Sequence, residues 1–197
     1  MGISRVARST AVCLAWTALS LRASEPQVSD LHATARVGGG PASNVVVWLD
    51  APDASAIPSR GRVVLDQRNL TFSPHVLAVR VGSTVDFPNN DRVLHNVFSF
   101  RDGKRFDLGM YPVGVLRRVT FNQVGLSRIF CNIHPNMAAY VMTVDSPYFA
   151  VSNDDGRLTI ASIAQGVYRY HAWRAGAADL TGMWSSADAQ PLSLSWP

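Results

Sequence analysis

Four side chains able to hold a soft metal ion lie in two separate stretches of this sequence. The segment Cys131-Asn132-Ile133-His134-Pro135-Asn136-Met137 carries a thiol, an imidazole and a thioether, and it follows a run of strand-forming residues. A loop from one strand to the next can fold those three groups around a single point. The mixture suits copper, because soft sulfur holds Cu(I), imidazole serves both oxidation states, and a long thioether bond tunes the couple. A fourth donor has to come from elsewhere. His95 fits, since Leu94-His95-Asn96-Val97-Phe98-Ser99-Phe100 follows the turn Asn89-Asn90-Asp91 and leads into an aromatic strand. Taken singly, each residue has an ordinary explanation: an inert buried thiol, a satisfied histidine, a core methionine. Together they predict one metal site made of His95, Cys131, His134 and Met137.

Other chemistry finds less support. Cys131 and His134 could form a nucleophile–base pair, but a short turn that also carries Met places soft donors around a metal instead. There is no Walker loop, dinucleotide glycine fingerprint or prominent carboxylate pair. A dinuclear copper centre would need a second bridging cysteine beside Cys131. His75 reads as a surface-turn histidine, His32 and His171 as strand residues that pack, and Met110 as loop packing with some scope for docking.

The elements that must position these donors are short strands. Asn44–Asp50 is rich in β-branched and aromatic residues and lies between Gly38-Gly39-Gly40-Pro41 and Ala51-Pro52. Further strands are predicted at Arg62–Leu65, Val76–Val81, Thr84–Phe87, Leu94–Phe100, Val115–Phe121, Ser127–Cys131 and Ala138–Val144. Turn residues at Gly82-Ser83, Pro88–Asp91, Asp102-Gly103 and Val124-Gly125 separate them. This spacing predicts an all-β sandwich or barrel. Beyond Asp145-Ser146-Pro147, strands are predicted at Tyr148–Ser152, Arg157–Ile160 and Val167–Trp173. Three strands alone are marginal, so they are expected to pair with His32–Arg36 and Asn44–Leu49.

The loop Cys131–Met137 resembles the copper loop of cupredoxins, and its two-residue gaps on either side of His134 are similar to the short loop of amicyanins. Phe72-Ser73-Pro74, Val79–Val85 and Phe87-Pro88-Asn89 resemble the family's strands before the first ligand. The resemblance implies a Greek-key cupredoxin sandwich over residues 60–146. It also implies His95 and His134 as nitrogen ligands, Cys131 as the short thiolate ligand and Met137 as the axial one. Asn96 stands where cupredoxins commonly use Asn to tie the ligand loops together. Asn132 departs from the Ser or Thr frequent after the cysteine, which bears on hydrogen bonding at the sulfur. The flanks, residues 24–59 and 147–176, resemble parts of carboxypeptidase-regulatory-like or transthyretin-like sandwiches, and residues 177–197 read as a tail. The whole resembles bacterial methylamine-utilisation or plastocyanin-like proteins. The implied function is that of a type 1 (blue) copper protein moving single electrons between redox partners, not an enzyme. The rivals are a copper storage or delivery protein and a metal-free envelope binding module.

Residues 1–23 have the layout of a secretory signal peptide: Arg5 and Arg8, an apolar run from Ala11 to Leu21, then small residues at Ala23 and Ser24. A periplasmic or otherwise exported location follows. Loss of that leader removes Arg5, Arg8, Arg22 and Cys13, which lowers the formal charge of +4 by three and leaves Cys131 as a lone thiol. A lone thiol in an oxidising compartment cannot form an internal disulfide, so it calls for another role. The small remaining charge gives no reason to expect a nucleic-acid partner, and no membrane span is expected. Arg92, Arg101, Lys104, Arg105, Arg117, Arg118 and Arg128 outnumber Asp102 and Asp107 in the central segment. They read as a solvated face or as a basic rim that steers an acidic redox protein.

Overall fold

The structure is a computed structural model that describes residues 27–51 and 63–197. The segment 1–23, read above as a leader, lies outside the described residues, as does Arg62. In chain order the strands begin with β1 (Val28–Val37), β2 (Gly40–Pro41) and β3 (Val46–Leu49). Next come β4 (Val63–Val64), β5 (Asp66–Arg68), β6 (Thr71–Ser73), β7 (Val76–Arg80), β8 (Ser83–Pro88) and β9 (His95–Ser99). The central stretch continues with β10 (Phe106–Tyr111), β11 (Leu116–Phe121), β12 (Gly125–Phe130) and β13 (Ala138–Val144). Last are β14 (Phe149–Val151), β15 (Arg157–Ala164), β16 (Val167–Trp173), β17 (Leu180–Ser185) and β18 (Leu192–Trp196). The expected all-β class is what is found.

The central strands form a sandwich. One sheet has the order β10-β9-β12-β13-β7 and the other β11-β8-β4, with β5 and β6 as a separate hairpin. Alternation drives this arrangement, because successive strand residues face opposite sides. On β12, Ser127 and Ile129 point inward while Arg128 is exposed. The inner faces meet in a core that includes Leu65, Phe72, Val79, Phe87, Val97, Phe121, Ile129 and Val141. Cys131 and Met137 belong to the same buried cluster.

The flanking strands make a second, smaller sandwich from the sheets β15-β1-β18 and β14-β3-β16-β17. Its core contains Leu31, Val45, Val47, Leu49, Ile163, Trp184, Leu194 and Trp196. The expected pairing of the late strands with β1 and β3 is present: β1 runs antiparallel to β15, and β3 lies between β14 and β16. Residues 177–197 differ from the tail reading. They carry β17, antiparallel to β16, and β18, parallel to β1. The reason is burial, since Trp184 and Trp196 fill the second core and a tail would leave both rings in water. A third cluster of Val46, Val76, Met142, Val144 and Trp173 joins the outer face of β7 and β13 to the back of β3 and β16.

Candidate metal centre

β9, β12 and β13 are neighbours in one sheet, and β12 is antiparallel to both. The first residue of β9, the residue after β12 and the residue before β13 therefore all lie at the same end of the sandwich. These are His95, Cys131 and Met137. The loop between β12 and β13 is closed by its own backbone. The Cys131 N–H donates to the Met137 carbonyl at 3.2 Å, and the Met137 N–H donates to the His134 carbonyl at 2.9 Å. This short closed turn brings the His134 ring back over the sandwich end.

Three of the four expected donors converge. His95 Nδ1 and His134 Nδ1 are 3.0 Å apart, and Cys131 Sγ is 3.9 Å from the former and 3.5 Å from the latter. Three donors about 2.0–2.3 Å from one ion at trigonal angles would stand roughly 3.5 Å from each other, so these spacings match a trigonal N₂S set. Among the described residues this is the one cluster of three or more His, Cys, Asp or Glu donors. His95 and Cys131 are buried, and His134 is half-buried between exposed Ile133 and Pro135. Met137 is buried in the same core cluster as Cys131, on the loop that carries His134. The residues fit copper by their chemistry: two imidazole nitrogens and a cysteine sulfur face one point, with a thioether on the same loop.

The surroundings hold these donors in place. His95 Nε2 lies 3.0 Å from Asp91 Oδ2, and that oxygen also accepts from the Leu70 N–H at 2.7 Å. Desolvation works to raise the Asp91 pKa. Hydrogen bonds from Leu70, Arg92 and His95 outweigh it, and the carboxyl is held at about 2. Tyr111, opposite His95 in the register between β10 and β9, is buried. Its hydroxyl donates to the Phe87 carbonyl and accepts from Gln67 Nε2. Burial, helped by the charge of Cys131, pushes the Tyr111 phenol up to about 12 against the opposing effects of Gln67 and Arg117.

The secondary readings divide: those of His75 and His171 hold, and those of Asn96, Met110 and His32 change. Asn96 does not tie the start of β9 to the Cys131–Met137 loop: its amide donates to Asp107 Oδ1 at 2.7 Å, and its carbonyl oxygen finds no partner among the described residues. It therefore braces β9 against the bend in β10. Met110 lies in a strand and is exposed. His75 sits on the surface with Nδ1 3.1 Å from the Ala138 carbonyl oxygen, outside the cluster. His32 is exposed beside Thr159, and His171 stacks on Trp48 and bonds Asp50. Of the basic residues, Arg117 and Arg118 lie on β11 and Arg128 on β12 while the other four lie between strands; Arg118 pairs with Asp86 and Arg128 with Asp102. Beside exposed Arg92, Asn132 and Asn136, the neighbourhood of the cluster carries exposed apolar side chains. Val93, Leu94, Met110, Val113 and Ile133 are each between 41% and 53% exposed. Val93 and Leu94 lead into His95, Met110 pairs with Asn96, and Ile133 is on the Cys131–Met137 loop. Their sequence neighbourhood carried this signal, but only the strand register brings them to one end.

No family model matches this chain, and no curated protein does. Solved structures similar to it include a purple cupredoxin from Nitrosopumilus maritimus, 25% identical over 43% of this chain and 100% of that one, with a TM-score of 0.38. An oxidised amicyanin variant is 23% identical over 50% of this chain and 98% of that one, with a TM-score of 0.40. A copper-containing nitrite reductase from Thermus scotoductus is 25% identical over 49% of this chain but only 25% of its own length, with a TM-score of 0.41. By its own two-sheet sandwich and the His–Cys–His cluster at one end, the central part of this chain is cupredoxin-like in fold.

Proposed function

We propose that this protein is an exported single-electron carrier that holds one type 1 copper ion with His95, Cys131, His134 and Met137. The observation that carries the reading is the convergence of His95 Nδ1, Cys131 Sγ and His134 Nδ1, all within 4.8 Å of one another, at the end of a packed sandwich. Bound there, copper supplies a one-electron couple between Cu(I) and Cu(II). The chain's own residues do the rest. His95 and Cys131 are fixed by the core, so the donor set has little freedom to rearrange between oxidation states. His134 is the donor nearest the surface, and its imidazole edge offers the contact through which a redox partner couples. The surrounding apolar residues let a partner approach closely and shed water on contact, as suits a transient complex.

A storage or delivery role needs a site that yields its ion. Burial of His95 and Cys131 supports retention instead. The two roles separate on reversibility: a carrier keeps copper through repeated redox cycles, whereas a delivery protein loses Cu(I) to a chelating acceptor. The primary test is Cu(II) titration of the protein with visible and electron-spin spectra, repeated on Cys131→Ser. The parent shows an intense thiolate-to-copper band and the variant lacks it. No such band in the parent refutes the proposal and leaves a metal-free binding module.

A further inference from the structure

Asp91 is the side chain at this site whose arrangement is not explained by folding the loop alone. It precedes β9 by four residues, and only 8% of its side chain is exposed. Among the described residues, every hydrogen-bonding contact of its carboxylate is with a nitrogen. Oδ2 receives the Leu70 N–H at 2.7 Å and faces His95 Nε2 at 3.0 Å, while Oδ1 receives the Arg92 N–H at 2.7 Å. The Asp91 N–H in turn donates to Asn89 Oδ1 at 3.1 Å. The carboxylate is thus locked by backbone groups from two turns before it reaches the imidazole. Its partner ring is fully buried.

Such a contact has two chemical consequences. A neutral imidazole carries one N–H, and an ionised carboxylate accepts but cannot donate, so the proton of His95 sits on Nε2. That leaves the Nδ1 lone pair facing Cys131 Sγ and His134 Nδ1, at 3.9 and 3.0 Å. A charge-assisted hydrogen bond also makes the ring a more basic donor, and a more basic, negatively supported ligand favours the higher-charged metal ion.

Resting on the carrier reading above, we propose that Asp91 is the positioning residue of the metal centre: it fixes the His95 tautomer and selects Cu(II) over Cu(I), which lowers the reduction potential. Asp91→Asn is the decisive substitution, because an amide oxygen in the place of Oδ2 can still accept from Leu70 and His95, while the charge and the Arg92 bond to Oδ1 are gone. Affinities for Cu(II) and Cu(I) are measured separately by competition with chelators. Cu(II) affinity falls by about 10- to 100-fold, the usual effect of losing such an outer partner, while Cu(I) affinity changes far less. A tenfold change in their ratio corresponds to a rise of about 59 mV in the potential. Asp91→Glu, which keeps the charge, recovers part of the ratio.

An unchanged Cu(II)/Cu(I) ratio in Asp91→Asn overturns the inference, even if the variant is less stable, because a merely structural role would not move that ratio. The second measurement needs no copper. Nitrogen-15 resonances of the His95 ring in the metal-free parent show the proton on Nε2, and Asp91→Ala, which removes the acceptor, mixes the tautomers. Finding the proton on Nδ1 in the parent overturns the inference as well. If the parent shows no copper–thiolate band, the carrier reading fails, while the tautomer measurement still reports on Asp91.

Discussion

Replacing Met137 separates packing from ligation. The side chain is 1% exposed within the central core, beside Cys131. Met137→Ala removes three buried heavy atoms and leaves a cavity, which costs about 2–5 kcal/mol for a methionine of this burial. Met137→Leu keeps the volume and costs less than about 1.5 kcal/mol. Both variants keep the turn, because the bonds Cys131 N–H to Met137 C=O and Met137 N–H to His134 C=O are backbone bonds available to any residue except proline at 137. Urea unfolding of the metal-free proteins should therefore rank parent, Leu and Ala in falling order. With a slope of roughly 2 kcal/mol per molar, the Ala midpoint drops by about 1–2.5 M. The tryptophans of the described residues, Trp48, Trp173, Trp184 and Trp196, belong to the flanking sandwich, so the central transition is better followed by circular dichroism. The copper-loaded proteins give the second arm. Both variants retain the thiolate-to-copper band, since Cys131 and the two histidines remain, but the potential shifts in both. A Met137→Leu protein whose spectrum and potential match the parent would show that Met137 only fills space, and the axial assignment would be refuted.

Other substitutions address separate links. Gly156 has φ +73°, and a Cβ there would stand 2.3 Å from the Ala35 carbonyl oxygen, so Gly156→Ala should destabilise the flanking sandwich by at least about 2 kcal/mol, read by tryptophan fluorescence during unfolding. The Tyr111 phenol is held at about 12, above its value near 10 in an unfolded chain, so the folded state keeps the proton longer. Stability tied to Tyr111 is therefore complete below about pH 10 and is lost as pH rises toward about 12, and Tyr111→Phe should flatten that alkaline limb in pH-dependent unfolding. Ile133→Glu together with Met110→Glu should slow electron self-exchange, measured by NMR line broadening, by about tenfold or more at low salt through mutual repulsion, with the potential little changed. A self-exchange rate equal to the parent's would move the contact surface elsewhere.

Local sequence was enough for features whose cause is local. The spacing of Cys131, His134 and Met137 marks a short loop between two strands, and the apolar runs Val76–Val81 and Ala138–Val144 mark strands whose two faces the fold buries in different clusters. β10 was not legible because Gly109 at φ +64° and a shift of register between Asp107 and Met110 interrupt its alternation. The hairpin of β5 and β6 hides for a similar reason: Asn69 and Leu70 both take positive φ, and no glycine announces the turn. β17 and β18 escaped notice because β18 pairs in parallel with β1, at the opposite end of the chain. Asp91 looked like a turn residue, and nothing in its neighbours distinguishes a turn carboxylate from one bound to a buried imidazole.

What the order of residues determined on its own was a set of donors and the strands that carry them. Tertiary structure decided which of them meet: antiparallel pairing of β9 with β12 sets His95 beside Cys131, and the same end collects Asp91, Met110 and Ile133. The division follows from range. Periodicity and spacing are properties of a few adjacent residues, whereas the distance between residues 95 and 131 depends on strand register, and register is chosen by the burial of both faces at once.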